Sequence, residues 1–322
     1  MKKIFCLISL SKLRTLFLIL VIVSCSIKGI YAQPSQYNAS QILSNKALDS
    51  AYLRITYSLS YISDSLKPKQ IWEDRKILLI GDSVWHFYSD YQRHTDSSKT
   101  VAREKQKSFK PPTYSEKIRK EGYDIFTYPT KGSRSVLEPI TELSLYKYQE
   151  IIEKPLWQLS EDTCTFLSYK CHKAITQFRG RDWTVWFTME IPIDAGPWKL
   201  CGLPGLIVKA YDSREHYVFE CIALENISNK KQPIRTILGV SGNFIECSHQ
   251  AYVEAQQQFY ENYVNFLLAM GWNIFINDAS GREIERIETP NTKFADSKVW
   301  WGIGVDARDR YRKIPYNPIE LE

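Results

Sequence analysis

The 322-residue sequence lacks the short motifs that mark common catalytic centres. It contains no GxSxG nucleophile elbow, no HExxH helix and no CxxC pair, so the corresponding hydrolase, metalloprotease and thioredoxin-like functions have no support. Gly302-Ile303-Gly304 is a lone GxG without the third glycine of a dinucleotide-binding fingerprint. The five histidines are scattered and form no metal-ligand spacing. The sequence therefore predicts no catalytic residue, no cofactor and no metal.

Long apolar runs are also missing, apart from one near the N-terminus. This run, Thr15–Val23, follows four basic residues and is shorter than the roughly 20 residues that a transmembrane helix needs. The pattern is typical of a secretory signal peptide over residues 1–32. We favour cleavage between Ala32 and Gln33, with lipidation at Cys25 as the alternative. The mature chain is then expected in the periplasm or at the outer membrane, without a transmembrane helix.

Net charge is small once the leader is set aside. Residues 1–32 hold five of the 42 basic residues and no acidic ones, which leaves 37 basic against 36 acidic residues. A near-neutral chain lacks the basic face of a nucleic-acid-binding protein, so we expect no nucleic-acid partner. Basic residues concentrate in residues 95–121, which we interpret as a solvated excursion between strands. The alternative is a patch for an acidic partner or for lipid headgroups.

Cysteine is sparse, with five residues after the leader. An exported protein folds in an oxidising compartment, and an odd number of cysteines leaves at least one thiol free or paired between molecules. Cys164 and Cys171 are close enough in sequence to face each other across a tight hairpin, which makes them the candidate disulfide. Pairing of four cysteines and pairing of none both remain open.

Alternating polar and apolar residues are abundant. Residues 53–61 alternate over nine positions, a pattern typical of a strand with one buried and one solvated face. Residues 183–189 repeat it, and turn residues separate further apolar runs. Additional strands are predicted at residues 76–80, 84–88, 170–178, 206–211, 217–224 and 273–277. Short links between neighbouring strands predict antiparallel pairing.

One stretch has the helical period. Apolar residues recur every three or four positions from Tyr252 to Leu267, Ser248 suits an N-cap and Gly271 suits a stop. We expect a helix of about 22 residues over positions 249–270. The predicted fold class is α+β and β-rich, with a curved, partly barrel-like antiparallel sheet covered by one long helix in the C-terminal half.

The mature chain shows no internal repeat and no proline- or glycine-rich linker long enough to separate two domains. We therefore predict a single β-rich domain over residues 33–271. The remaining residues, 272–322, are predicted to be an extended tail that packs on this domain, with Trp300-Trp301 as its anchor.

Residues 191–207 form the most informative segment. Gly196-Pro197 and Pro204-Gly205 are turn dipeptides, and glycines at positions 202 and 205 are suited to positive φ. Apolar residues follow both turns. We interpret the segment as a crossing between two strands whose tip packs into the core, with Trp198 as an aromatic plug. The alternative is a loop that gates a groove holding an apolar ligand.

The six residues at the end of this segment resemble the motif that names the GLPGLI family of secreted proteins from Gram-negative envelopes. They are Gly202, Leu203, Pro204, Gly205, Leu206 and Ile207. Further parts of the resemblance are Tyr57, Tyr169–Ala174, Phe178–Arg181, Trp186–Thr188, Ile191–Ile193, Gly196–Lys199 and Tyr316–Leu321. Ser168 departs from the pattern, since the family often has glycine there, and Cys164 and Cys201 are unusual. The resemblance implies export and a β-rich fold, and it carries over no catalytic residue.

Three hypotheses for the function follow. The first is a non-enzymatic envelope protein that binds an apolar ligand or an outer-membrane uptake partner, because members of the resembled family are discussed beside outer-membrane receptors. Its groove or core would be lined by Trp183, Phe187, Trp198 and Leu203. The second is an enzyme that uses the thiol of Cys201 or Cys171 with a histidine brought close by folding. The third is a surface adhesion or scaffold protein that makes contact through exposed aromatic residues.

Overall fold

Sixteen strands, one helix in the C-terminal half and a short helical stretch at residues 90–95 account for most of the part of the chain that this computed structural model describes. That part comprises residues 43–65, 67–95, 98, 105, 115, 117, 122–141, 144–237, 244–262, 265, 268, 273–277, 282–287, 302–306 and 317–321. The strands are β1 (Leu43–Tyr61), β2 (Trp72–Gly81), β3 (Trp85–Ser89), β4 (Asp124–Tyr128), β5 (Ser133–Thr141), β6 (Ser144–Ile151), β7 (Gln158–Phe166) and β8 (Tyr169–Phe178). They continue as β9 (Arg181–Thr188), β10 (Leu206–Asp212), β11 (Tyr217–Asn226), β12 (Gln232–Ile237), β13 (Ile245–Glu246), β14 (Asn273–Asn277), β15 (Glu283–Ile287) and β16 (Gly302–Asp306).

The main sheet is open, and the long strand β1 lies at its middle. Its order is β13-β6-β5-β4-β3-β2-β1-β11-β10-β9-β8-β7, with β12 paired to β1 beside this path. Pairing is antiparallel throughout except between β13 and β6. The predicted β-rich, mostly antiparallel sheet is thus confirmed. The sheet is not closed into a barrel, since its two ends, β13 and β7, do not pair with each other.

The hairpins follow from local sequence, as the alternation predicts. The turn at Gly81–Ser83 joins β2 to β3, and Asp49 fastens it by accepting hydrogen bonds from the amides of Ser83 and Val84 at 2.6 and 2.9 Å. Two residues, Arg179 and Gly180, join β8 to β9, both with positive φ. Such two-residue turns match the right-handed twist of the strands they connect.

Strands from both arms of the sheet share one hydrophobic core. Phe219 of β11 contacts Phe87 of β3 on one arm and Trp183 of β9 on the other, with ring centroids 6.3 and 6.5 Å apart. The buried hydroxyl of Tyr57 in β1 donates to the Ile207 carbonyl of β10 at 2.7 Å. Burial of large aromatic side chains at this density is the main stabilising contribution to the fold.

The predicted helix exists, and its described part is shorter than expected. Helix α1 spans His249–Glu261, and the predicted N-cap Ser248 accepts a hydrogen bond from the Ala251 amide at 3.2 Å. Most of the predicted continuation to residue 270 lies outside the described residues. Tyr252 packs on Tyr146 and Tyr148 of β6, with centroids 5.7 and 5.5 Å apart, so the helix lies near the β6 end of the sheet.

Beyond residue 271 the described chain forms a second, three-stranded sheet in the order β15-β14-β16. The strand predicted at residues 273–277 is confirmed as its central strand. Residues 42–322 form one compact unit. The leader, Cys25, the Trp300-Trp301 pair and most of residues 95–121 lie outside the described residues, so the predictions made for them stay predictions.

Candidate binding pocket and buried charged cluster

The loop between the neighbouring strands β9 and β10 packs against the other arm of the sheet, where its Lys199 carbonyl accepts a hydrogen bond from Arg134 of β5, and two of its glycines are required by geometry. Gly202 has a φ of +98°, as predicted for positive-φ positions. Gly205 does not have a positive φ, so the expectation for that position is wrong. A Cβ atom at Gly205 would lie 2.1 Å from the carbonyl oxygen of Thr188, so this position excludes every side chain because the two strands approach too closely. Gly202 and Gly205 are therefore positions at which the backbone itself requires glycine.

The four residues predicted to line a groove or core lie in the filled interior. Trp183, Phe187, Trp198 and Leu203 are 1 to 3% exposed, and the rings of Trp183 and Trp198 are 5.7 Å apart. Three of them fill the core, whereas Trp198 also lines a pocket. The structure therefore supports the expectation of a plug at Trp198 and leaves no open groove along the other three.

The pocket has a volume of about 150 Å³ and lies between strands β2–β5 and the β9–β10 loop. Its lining residues are Leu78, Trp85, Phe87, Thr127, Pro129, Arg134, Ile152, Lys154, Asp194, Ala195, Gly196, Trp198, Leu200 and Cys201. The walls are mostly aliphatic and aromatic. At the exposed side, the ammonium of Lys154 donates to Asp194 Oδ2 at 2.7 Å. A concave apolar site with a few polar groups is the usual form of a small-molecule site.

Arg134 in β5 is the buried polar group of this pocket. Its Nη2 donates to the Lys199 carbonyl at 2.9 Å and to the Cys201 thiol at 3.2 Å. Its Nε and Nη1 are out of contact with solvent and have no hydrogen-bond partner in the described part of the chain. An arginine with unmatched donors in a cleft is uncommon, because buried polar groups are nearly always paired.

Behind Arg134 lies a cluster of buried charges centred on Lys199. The fully buried Lys199 ammonium donates to Glu150 Oε2 at 2.8 Å and to Glu320 Oε1 at 2.5 Å. Arg179 lies 3.5 Å and His249 lies 3.4 Å from Glu320 Oε2. Since a buried ammonium is tolerated only when it is paired, the two carboxylates are what permits Lys199 to occupy the interior.

Two carboxyl groups of this region have opposite pKa shifts. Burial raises the pKa of Glu138 to about 7, and the nearby Lys199 charge only partly offsets this. Burial also opposes ionisation of Glu320, but the hydrogen bond from His249 and the charges of Lys199 and Arg179 outweigh it and lower the pKa to about 2. The Tyr148 hydroxyl donates to Glu138 at 3.3 Å, and burial raises the pKa of that phenol. Glu138 therefore titrates near neutral pH.

The C-terminal segment is held by Arg181, so two of the motifs that carry the GLPGLI resemblance contact each other. Arg181 donates from Nε to the Ile319 carbonyl at 2.9 Å, from Nη1 to Asp212 at 2.8 Å and from Nη2 to the Asn317 side chain at 2.8 Å. The Tyr217 hydroxyl donates to the Asn317 carbonyl at 2.9 Å. This network places Glu320 next to Lys199.

The thiols are ill-suited to nucleophilic catalysis. Burial raises the pKa of Cys201 despite the opposing charge of Arg134, and burial raises the pKa of Cys171 to about 11, of Cys221 to about 12 and of Cys247 above its usual value. The thiolate is the reactive form of cysteine, so these shifts suppress reactivity. Cys164 pairs directly with Cys171 across β7 and β8. Both are free in this structure, and a disulfide between them stays a prediction.

The residues that give this region its chemistry are not among the functional candidates predicted from the sequence. They are Arg134, Glu138, Glu150, Lys199 and Glu320. They come from β5, β6, the β9–β10 loop and the C-terminal segment, and no local pattern links positions so far apart. One signal was available for Lys199: a charged residue between Trp198 and Leu200 in an otherwise apolar run. A charged residue at such a position needs a buried partner.

Within the described ranges, no group of three or more His, Cys, Asp or Glu residues is placed to hold a metal ion. The helices described here all fall short of the length and hydrophobicity that a membrane-spanning helix needs.

The exposed large apolar side chains in the described ranges are aliphatic residues and Met189, with Leu156 and Ile151 the most exposed. No exposed aromatic surface therefore supports the adhesion hypothesis within the described part.

A family profile described as N-glycanase peptide, N-terminal domain, matches residues 83–238. This range contains β3 to β12 and therefore most of the pocket lining, including Arg134 and the β9–β10 loop. It excludes β1, β2, helix α1 and the C-terminal segment that supplies Glu320. No comparison bears on the GLPGLI resemblance, which stays a prediction.

Two crystal structures of PNGF-II, in space groups C2 and P21, are similar to the chain with a TM-score of 0.42 and 15% sequence identity in both cases. The similarity covers 65% and 64% of this chain but 33% and 32% of the PNGF-II chains. The chain thus matches about a third of the length of those proteins. No curated protein matches the sequence.

Proposed function

We propose that this chain is a non-enzymatic binding protein of the cell envelope that holds a small, largely apolar ligand in the pocket between β2–β5 and the β9–β10 loop. The single observation that supports this most is the pocket itself, with the aromatic side chains of Phe87 and Trp198 in its wall and an exposed opening beside Lys154. A cavity of about 150 Å³ is the size that holds benzene when its walls are apolar.

The rival, a thiol-dependent enzyme, is disfavoured by the contacts of its proposed nucleophile. The Cys201 sulfur receives a hydrogen bond from Arg134 and lies 3.8 Å from the Glu153 carbonyl, so neither of these contacts supplies a histidine base. Its raised pKa keeps the thiol protonated at neutral pH. Activated nucleophiles show the opposite shift together with an adjacent base.

The predicted signal peptide at residues 1–32 leads us to assign this role to the periplasm or the outer membrane. An outer-membrane uptake receptor is the proposed protein partner, in line with the GLPGLI resemblance. The pocket opens where Lys154 and Asp194 remain accessible, so a bound ligand could be passed on without unfolding of the core.

Ligand-observed NMR with hexan-1-ol and hexanoate as probes tests the pocket. We expect saturable binding of at least one probe, with a dissociation constant of about 1 mM, since small ligands of seven or eight heavy atoms typically gain about 4 kcal/mol. Thr127→Phe should fill the pocket from β4 and abolish binding. Thr184→Phe, the same change on the outward side of β9, should leave binding intact. Absence of saturable binding by the wild-type chain would refute the proposal.

A second candidate function, action on N-linked glycans, is favoured by the profile match over residues 83–238. Acid–base chemistry on a glycan would require accessible carboxyl groups, and Glu138 and Glu320 have the divergent pKa values that such a pair needs. However, Glu320 is tied to Lys199 and Arg179. Mass spectrometry of a glycopeptide incubated with the full chain decides between the candidates, because released glycan would establish an enzyme and exclude a purely binding role.

A further inference from the structure

We infer that Cys164 and Cys171 form a reversible thiol–disulfide site, whose two sulfurs bond to each other under oxidising conditions and separate again when a thiol reduces them. This site is independent of the pocket and of the proposed function. Proximity in the sequence allows a disulfide here but does not say whether it is permanent. The register of the β7–β8 hairpin carries that further step.

The two cysteines are neighbours in the folded chain. Cys164 of β7 lies directly opposite Cys171 of β8, and its thiol is close enough to hydrogen-bond with the Cys171 sulfur. Facing residues of a strand pair have Cα atoms within the range that a disulfide bridges. Cys171 is fully buried, whereas Cys164 is partly exposed, so a reagent in solution reaches Cys164 first.

The turn determines which type of strand pair the cysteines occupy. Leu167 and Ser168 form a two-residue turn with positive φ at both positions. The residues that flank such a turn, here Phe166 and Tyr169, form a hydrogen-bonded pair. Hydrogen-bonded and non-hydrogen-bonded pairs alternate along an antiparallel ladder. The cysteines are the second pair beyond the flanking one, with no register shift between, so they form a hydrogen-bonded pair as well.

A disulfide at a pair of this type is strained. Opposite side chains are farther apart in hydrogen-bonded pairs than in non-hydrogen-bonded pairs, whereas a relaxed disulfide needs Cβ atoms about 3.8 Å apart. The strands must therefore shift to close the bond, and a strained disulfide is more easily reduced. As a structural cross-link it would contribute little, because it closes a short loop between strands that already pair. Both properties favour a reversible site over a permanent disulfide.

The oxidant that this chemistry requires is another disulfide. Cys164 loses its proton to solvent, its thiolate attacks one sulfur of the oxidant, and the other oxidant sulfur leaves as a thiol. The Cys171 thiolate then attacks the Cys164 sulfur and releases the second oxidant thiol, so an electron pair and both protons have left the cysteines. Burial and the neighbouring Cys164 raise the pKa of Cys171 to about 11, which makes the second step slow at neutral pH.

Equilibration of the full chain in glutathione buffers at pH 8 tests the site. Acid quenching, alkylation of free thiols and peptide mass spectrometry give the fraction of the chain that contains the Cys164–Cys171 disulfide. We expect about a hundredfold rise in [GSH]²/[GSSG] to change the pair from about nine-tenths oxidised to about nine-tenths reduced, as for a dithiol couple in equilibrium with glutathione. A pair that stays oxidised at every ratio is a permanent disulfide, and a pair that never oxidises is no redox site. Either result overturns the inference.

An engineered pair in the same hairpin tests whether the register causes the lability. Thr165→Cys and Lys170→Cys place two cysteines at the adjacent, non-hydrogen-bonded pair, where both native side chains are exposed. The natural cysteines of the hairpin are replaced by serine in the same variant. We expect half-reduction of this disulfide to need a [GSH]²/[GSSG] ratio at least about tenfold higher, because the strands need not shift to form it. Equal midpoints for the two pairs would refute strain as the basis of the site.

Cys221 of β11 is the rival partner for Cys171. Burial and the neighbouring Cys171 raise the pKa of Cys221 to about 12, and its thiol donates to the Ala223 carbonyl at 3.5 Å. Cys221→Ser should leave the redox midpoint unchanged, whereas Cys164→Ser should abolish the disulfide. Loss of the disulfide in Cys221→Ser would assign Cys171 another partner and contradict the inference. If a variant does not fold, the cross-linked peptides of the wild-type chain still decide the pairing.

Discussion

The two residues that connect β7 to β8 adopt a backbone conformation that their side chains disfavour. Leu167 has a φ of 48° and Ser168 a φ of 70°, and two-residue turns of this kind prefer glycine at the second position. The next hairpin along the chain has that preferred residue, Gly180, with a φ of 72°. The departure at Ser168 from the glycine expected by resemblance therefore has a physical consequence.

We expect Ser168→Gly to stabilise the chain by about 0.5 to 1 kcal/mol, since it relieves the left-handed strain at the expense of a more flexible unfolded state. The matched reverse change, Gly180→Ser, should destabilise the chain by about 1 kcal/mol. Urea denaturation followed by circular dichroism measures both. If the two changes shift the unfolding free energy in the same direction, backbone strain is not the cause.

Individual side chains were predicted best where a local pattern determines them. Ser248 was identified as an N-cap, and Trp198 was expected in the interior, because capping and apolar turns leave a signature within a few residues. The positive φ predicted for Gly205 is wrong. Glycine is required there because the carbonyl of Thr188 in the preceding strand leaves no room for a Cβ atom. Close approach of this kind depends on tertiary packing, which the local pattern does not reveal.

At the scale of elements, the C-terminal segment is joined to the main body by side-chain hydrogen bonds and by two isolated backbone hydrogen bonds, and not by strand pairing. The Asn317 amide donates to the Ser63 carbonyl and the Leu321 amide to the Arg179 carbonyl, both at 3.1 Å. Asn317 uses both ends of its amide: Oδ1 accepts from Arg181 Nη2 at 2.8 Å, and Nδ2 donates to the Ile62 carbonyl at 2.5 Å. Asn317 is 4% exposed, so loss of its amide would leave buried partners unmatched.

Asn317→Ala is therefore expected to destabilise the chain by about 2 to 3 kcal/mol, as estimated for two buried hydrogen-bond partners left unsatisfied. Urea denaturation gives the change in unfolding free energy. Asn226→Ala is the matched control, because Asn226 makes one exposed hydrogen bond, to the Ser228 amide, and its loss should change stability by less than about 0.5 kcal/mol. Equal effects of the two substitutions would show that the segment is only loosely attached.

At the scale of the whole molecule, the sequence predicted strands and hairpins but not the sheet order or the buried charges. Alternation reports which face of a strand is buried, so β1, β8 and β9 were recognisable. Pairing of β1 with β11 joins residues more than 150 positions apart, and no turn signal specifies it. The pocket and the Lys199 cluster depend on that long-range pairing, so they could not be derived from the sequence.

The cluster should make global stability fall as pH rises towards neutrality. The pKa of Glu138 is raised from 4.5 to about 7, so the folded chain binds more protons than the unfolded chain between these values. Stability from this group is present below pH 4.5 and is lost as the pH rises to about 7. We expect a loss of about 2 kcal/mol between pH 5 and pH 8, less than the full shift implies because part of Glu138 remains exposed.

Glu320 affects the stability of the fold at acidic pH. Its pKa is lowered to about 2, so its contribution is present above pH 4.5 and is lost as the pH falls towards 2. Urea midpoints between pH 3 and pH 8 should therefore pass through a maximum near pH 5. Glu138→Gln should flatten the alkaline side only, and Glu161→Gln, at an exposed position in β7, should change neither side. A profile of Glu138→Gln that still falls between pH 5 and pH 8 would assign the titration to another group.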